Sequence, residues 1–184
     1  NRVRMAFTPV NLKYLIASGR APRLQGMIGD YPVKNNLTAI QMKNISQRSF
    51  IDARKENKLA QALNDTLSVT PNDIDYLMNA LSGGNQQKVV IGKWLADTYK
   101  LYLLDEVTAG VDIGAKSEIY ALLGELARRG AGVVLATGDI EEAIGLSDRI
   151  IILFNGQVVK EVDPKSTSKD EILAYIMGGT KVAQ

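Results

Sequence analysis

The stretch LSGGNQQKVVIGKWLADTYKLYLLDE, residues 81–106, decides how the rest of the chain is read. It opens with Ser82-Gly83-Gly84 at the head of a helical pattern in which Val90, Ile91, Trp94 and Leu95 recur at helical spacing. Serine is a favoured N-cap, glycines let another group approach the backbone, and the free amides and dipole of a helix start attract an anion. The stretch closes with the apolar run Leu101–Leu104 and then Asp105 and Glu106. Both ends suit phosphate chemistry, yet no G-x-x-x-x-G-K-[ST] loop occurs anywhere in the chain. The nearest decoy, Gly110–Ser117, has Ala115 where the second glycine belongs and follows the acid pair instead of a leading strand.

Outward from this stretch the second half alternates regularly. Helical patterns are expected over about Gly84–Asp97, Ala115–Arg129, Ile140–Leu146 and Lys169–Met177. Strands are expected at Leu101–Leu104, Gly132–Ala136, Arg149–Phe154 and Gln157–Val162, with an Asn155-Gly156 turn joining the last two at a sheet edge. Toward the N-terminus, Arg2–Thr8 reads as a strand closed by Pro9. Residues 10–36 read as loops with at most a short helix near Leu12–Ala17. Helical spacing returns from Leu37 to Leu67, with Leu59, Ala60, Leu63 and Leu67 on one face, and a loop follows through Pro71-Asn72-Asp73. Buried strands alternating with amphipathic helices predict an α/β domain with a largely parallel sheet.

Composition narrows the chemistry. The chain has 184 residues, 46% hydrophobic, enough for one sizeable core. It has neither Cys nor His, which removes disulfides, thiolate zinc sites, cysteine nucleophiles and any Ser-His-Asp arrangement. A net charge of +2 with basic residues spread along the chain gives no nucleic-acid footprint. No apolar run approaches the roughly 20 residues of a membrane span. Trp94 and the methionines read as core, and Arg48, Arg54, Lys55 and Lys58 as a solvated helix face.

The acid pair carries most of the chemistry. In open α/β sheets ligands bind beyond the carboxyl ends of the strands, which is where Leu101–Leu104 delivers Asp105 and Glu106. Asp105 suits Mg²⁺, held through water because that ion dehydrates reluctantly. Glu106 suits a general base toward a water attacking a phosphoryl group. A strand ending in two solvated acids is the plainer reading of this pair alone.

Taken together, LSGGNQQKVVIGKWLA, LYLLDEVTAGVDIGAKSEIY and GLSDRIIILFNGQVV resemble the ATPase subunit of ATP-binding-cassette (ABC) transporters. GGNQQK and GVDIGAK are most similar to the sugar importers whose ATPase subunit carries two cassettes in one chain, a class serving ribose, galactose, xylose and related cargo. The resemblance is strong over residues 81–160 and weaker at PVKNNLT, residues 32–38, which resembles the opening of the family's helical subdomain. It implies a P-loop NTPase-like ABC ATPase domain over 1–184, with a helical subdomain at about 33–90. Leu81, Ser82, Gly83, Gly84, Asn85 and Gln86 would form the signature loop, with Ser82 and Gly84 touching the γ-phosphate of ATP held by another cassette. Leu101–Glu106 would be the Walker B strand, with Asp105 toward Mg²⁺ and Glu106 as catalytic base. Thr108–Asp112 would be the D-loop, with Asp112 reaching across the cassette interface. The implied partners are a second cassette, transmembrane permease subunits and, indirectly, an extracytoplasmic sugar-binding protein. The implied location is peripheral, at the cytoplasmic face of the membrane.

The chain also departs from that pattern. Its missing phosphate loop is expected upstream of Asn1, which makes this an N-terminally truncated cassette, and the losses fit the C-terminal one of two. Gly138 stands where the family places its switch histidine, Val107 where proline follows the acid pair, and Val10 where the loop glutamine is expected after Pro9. Two other readings therefore stand beside a hydrolysing cassette. One is a degenerate partner cassette with a structural or regulatory role. The other is a DNA-maintenance ATPase, which would need flanking heptads and a basic stripe.

Overall fold

The computed structural model describes residues 14–18, 26–47 and 50–177. Three parallel strands form the central sheet: β1 (Tyr14–Ser18), β4 (Leu101–Asp105) and β5 (Gly132–Ala136), in the order β1-β4-β5. The register sets Ser18, Asp105 and Ala136 side by side, so the acid pair emerges at the carboxyl edge of the middle strand. The α/β class with a parallel sheet is as the sequence predicts. The short helix expected near Leu12–Ala17 is instead strand β1, because pairing with β4 across more than eighty residues overrides local preference. The expected strand Arg2–Thr8, the position of Val10, Arg48 and the tail from Gly178 lie outside the described residues.

The helical spacing from Leu37 to Leu67 does not make one helix. It is divided into α1 (Val33–Thr38), α2 (Met42–Ile45), a two-rung hairpin of β2 (Ser46–Gln47) with β3 (Phe50–Ile51), and α3 (Ala53–Leu67). The new start is set by Asp52, whose carboxylate accepts the amides of Arg54 and Lys55 at 3.0 and 3.2 Å. Leu63 and Leu67, with Leu59 at their side, then face Val33, Leu37 and Met78, and Ala60 is buried, while Arg54, Lys55 and Lys58 are exposed as expected. The buried Asn36 pins the approach to α1, accepting from the Ile28 amide at 2.7 Å and donating to the Ile28 and Pro32 carbonyls at 3.0 and 3.1 Å.

Helix α4 (Gly83–Gly92) tightens into a 3₁₀ turn over Lys93–Ala96, shorter than the continuous helix expected to Asp97. Gly92 is where α4 presses on α3: a Cβ there would lie 2.1 Å from Leu67 Cδ1. Helix α5 (Ile113–Arg128) covers β4 and β5 through Ile119, Leu123 and Leu126, packed with Tyr102, Leu104 and Val133. Each such fully buried aliphatic side chain contributes about 1.5–3 kcal/mol. Gly130, at φ +89°, ends α5 as its C-terminal glycine. Val107 belongs to this same core, so the residue that replaces the expected proline fills space under the sheet.

After α6 (Ile140–Leu146), β6 (Ile150–Phe154) and β7 (Gln157–Val162) pair antiparallel through Asn155 and Gly156, both at positive φ. Among the described residues this hairpin is a separate two-stranded sheet and not an edge of the parallel one. Helix α7 (Lys169–Ile176) begins with a capping box between Ser168 and Glu171 and packs on β6 through Ile172. Trp94 is half-buried beside Tyr99, and Met78 is core, but Met42 and Met177 are exposed, against the expectation for the methionines. No helix among the described residues is long and apolar enough to cross a membrane.

Candidate functional site

Ser82 caps α4 as its residue type suggests, its Oγ accepting the Asn85 amide at 3.4 Å and the Asn85 side-chain amide at 3.0 Å. Ser82 is exposed, whereas Leu81 is buried among the helices below. Asn85 and Gln86 turn toward their own chain. Asn85 Oδ1 accepts the Thr70 amide at 3.1 Å, and Gln86 Nε2 donates to the Met78 and Leu81 carbonyls, both at 3.1 Å. These two amides thus hold the loop in shape around Ser82-Gly83-Gly84; the Asn85 amide is taken by Ser82, and the helix start at Gly83-Gly84 is the part that suits an anion.

Gly84 has a tighter requirement than its sequence position conveys. A Cβ there would lie 2.4 Å from Ala115 Cβ and 3.3 Å from Asp112 Oδ2, so its bare face is taken by the start of α5. Asp112 caps α5 through Ala115 N–H at 2.9 Å. The loop at 82–84 and Asp112, thirty residues apart in sequence, therefore share one corner. Lys88 braces it from beneath: nearly buried, it donates to the Ser68 carbonyl at 3.0 Å and pairs with Glu118 on α5.

Asp105 and Glu106 are both half-buried at the end of β4. Glu106 sits at φ +50°, a left-handed backbone that a glutamate adopts only under strain. Its amide donates to the Ala136 carbonyl at 2.8 Å, and its Oε1 accepts the Gly138 amide at 2.8 Å. Where a histidine side chain was expected, a backbone N–H meets the acid. Among the described residues no cluster of three or more Asp, Glu, His or Cys could hold a metal alone. The Asp105 carboxylate at the sheet edge is the donor that suits a hard cation whose remaining ligands are water and phosphate oxygens.

Behind the acid pair lies a polar cluster that the sequence did not reveal. Thr108 and Glu142 are both buried, and Thr108 Oγ1 donates to Glu142 Oε1 at 2.7 Å. Thr137 donates to the other oxygen, and the Tyr120 hydroxyl lies beside the same group. Burial is the first cause that pushes the Tyr120 hydroxyl up from its ordinary pKa, followed by the charge of Glu142. Asp139 caps α6, and its carboxyl is held below the usual range by the Glu142 amide first and by Lys116, 3.2 Å away, second. Glu142 lies in the first turn of a helix, where an acid reads as a dipole partner, so no sequence signal marks it as buried.

A family model described as ABC transporter matches residues 16–109, just over half of the chain. The chain belongs to the ABC transporter family. Relatives include the ribose import ATP-binding protein RbsA of Halalkalibacterium halodurans, 38% identical over 157 residues, covering 85% of this chain and 32% of that protein. A putative ribose/galactose/methyl galactoside import ATP-binding protein of Rhizobium meliloti is 37% identical over 153 residues, covering 83% and 30%. The chain thus spans about a third of the length of the curated relatives it matches. Among solved structures, an inward-facing putative metal-chelate type ABC transporter shares the fold at TM-score 0.74 and 22% identity, covering 92% of this chain and 66% of that one. The cassette MJ0796, solved as a dimer bound to ADP and phosphate in a post-hydrolysis state, matches at TM-score 0.66 and 25% identity, covering 83% and 64%. The cassette fold and the ABC transporter family expected from the sequence are therefore established for this chain.

Proposed function

We propose that this chain is part of an ATP-binding and ATP-hydrolysing cassette that powers import of a sugar through a membrane permease. On this reading it is one ABC ATPase domain over 1–184, with a helical subdomain at about 33–90, at the cytoplasmic face of the membrane. Its signature loop, Leu81–Gln86, completes an ATP site whose phosphate loop belongs to a second cassette, and Asp112 reaches the same interface. The observation that carries this is the corner at Ser82–Gly84: exposed outward at Ser82, fixed from within by Asn85, Gln86 and Ala115, and joined to Asp112. Such rigidity is what a loop needs to meet a phosphate that it does not itself grip. The dimeric state of MJ0796 and the sugar-import names of the relatives support the partner and cargo classes.

At this cassette's own edge, Glu106 accepts a proton from water while the Gly138 amide fixes its Oε1. Asp105 would hold Mg²⁺, through water. That ion, when bound, neutralises charge on the phosphate oxygens. An amide at residue 138 supplies no side chain to touch a phosphate, and this favours a second reading: a cassette whose own hydrolysis is weak, serving its partner through the signature loop.

Two substitutions in the complete transporter separate the readings. Ser82→Arg places a cation and a long side chain where the phosphate would sit and abolishes turnover under either. Glu106→Gln lowers the ATPase rate if this cassette hydrolyses and leaves it unchanged if it is the degenerate partner. Wild-type turnover in Ser82→Arg refutes the signature assignment itself.

A further inference from the structure

We infer that Glu142 is a positioning residue, which closes a hydrogen-bonded ring that fixes both Glu106 and the loop leading to Asp112. The ring runs from Glu106 Oε1 to the Gly138 amide at 2.8 Å and back along the chain to Thr137. It passes through Thr137 Oγ1 to one Glu142 oxygen, and from the other to Thr108 Oγ1 at 2.7 Å. Thr108 lies two residues after Glu106, so the backbone completes the circuit. Three further bonds secure the loop 137–139: the Asp139 amide to Thr137 Oγ1 at 3.0 Å, the Glu142 amide to Asp139 Oδ1 at 3.2 Å, and Lys116 to Asp139 at 3.2 Å.

Burial makes this arrangement consequential. Glu142 is 4% exposed and Thr108 2% exposed, so neither can replace a lost partner with bulk water. A buried carboxylate that engages hydroxyls on two different loops orders them relative to each other more strongly than either loop's own turns do. Thr108 begins the segment Thr108–Asp112, which ends at the corner occupied by Gly84. Glu142 therefore links the acid at the sheet edge to the loop that meets the signature helix. The consequence for catalysis rests on Glu106 acting as base; the ring itself does not.

The test uses the complete ATP-binding protein with its permease, as wild type and as Glu142→Ala, Glu142→Gln, Thr108→Val and Glu106→Gln. Hydrogen–deuterium exchange and ATPase kinetics are read on each. Glu142→Ala is expected to speed exchange about tenfold over 105–109 and 136–140, the equivalent of ~1.4 kcal/mol of local opening, with 78–92 unchanged. It should lower kcat by a similar factor with KM for ATP unchanged. Thr108→Val, near-isosteric and less prone to misfold, should loosen the same two segments. Glu142→Gln keeps one oxygen acceptor and an amide to which the second hydroxyl can turn, and should restore exchange and kcat together. Wild-type exchange in both segments, or acceleration spread evenly over the chain, overturns the ring. If Glu106→Gln leaves kcat intact, the base assignment fails, and the exchange pattern still decides the ring on its own.

Discussion

Adding one methyl group at Gly84 tests whether α4 and α5 are as tightly married as the geometry implies. In Gly84→Ala the new Cβ lies 2.4 Å from Ala115 Cβ, against the ~3.5–4.0 Å of an ordinary carbon contact, so the two helix starts must part by about 1.1–1.6 Å. Neither side yields freely. Ala115 is held by the hydrogen bond that its N–H donates to Asp112 Oδ1 at 2.9 Å, and α4 is held by Ser82, Asn85 and Gln86. Overpacking of this kind costs about 1–3 kcal/mol, and alanine in place of glycine in a helix recovers up to ~1 kcal/mol. From the middle of the overpacking range, about 2 kcal/mol, a net loss of about 1–2 kcal/mol follows, worth roughly 2–8 °C in Tm for a domain of this size. Ala115→Gly removes the opposing methyl. In the double variant the penalties should not add, leaving a coupling of about 1–2 kcal/mol in a thermal-unfolding double-mutant cycle. Additive effects, or a Gly84→Ala protein more stable than wild type, would show that the contact exerts no such constraint.

Three further outcomes concern the caps and the buried lysine. Ser82→Ala removes the oxygen that accepts from Asn85 twice and should destabilise the protein by about 1 kcal/mol in urea unfolding, while Ser82→Asp should retain most of the capping; equal midpoints for all three would refute the cap. Lys88→Met keeps volume but strands the Ser68 carbonyl at the end of α3, and should cost about 1–3 kcal/mol by the same assay. Asp139 has a folded pKa depressed by the Glu142 amide and then Lys116, so its contribution is complete above the unfolded value of about 3.9 and is lost as pH falls through the folded one. Asp139→Asn, which still caps α6, should lose that dependence. The stability gap between the two proteins should narrow between about pH 5 and pH 2, and a constant gap would refute the assignment.

Much of this molecule was legible before its structure, and the exceptions have physical causes. Leu101–Leu104 and Gly132–Ala136 read as buried strands because they are short, apolar and bounded by polar residues and turns, and both stand where expected. Periodicity failed over Leu37–Leu67 because apolar spacing keeps its phase across a break. Only Asp52, a capping residue inside the run, marks where α3 starts afresh. Strand β1 was missed since its evidence is its pairing with β4, a long-range contact invisible to local pattern. At the candidate site, Ser82, Gly84, Asp105, Glu106 and Asp112 are candidates that the motifs alone single out. What the motif could not distinguish is a glycine kept small for a ligand from one kept small for Ala115, nor a helix-start acid facing solvent from Glu142 facing Thr108.

The left-handed turn of the chain at Glu106 makes this position a trap for laboratory evolution. Nearly every replacement inherits the same twisted main chain, but glycine escapes it by about 1–2 kcal/mol and asparagine by part of that. Screens that reward heat resistance alone will gather such variants, each sturdier in its backbone and each without its acid. At one torsion angle, durability and the proposed base compete for the same residue.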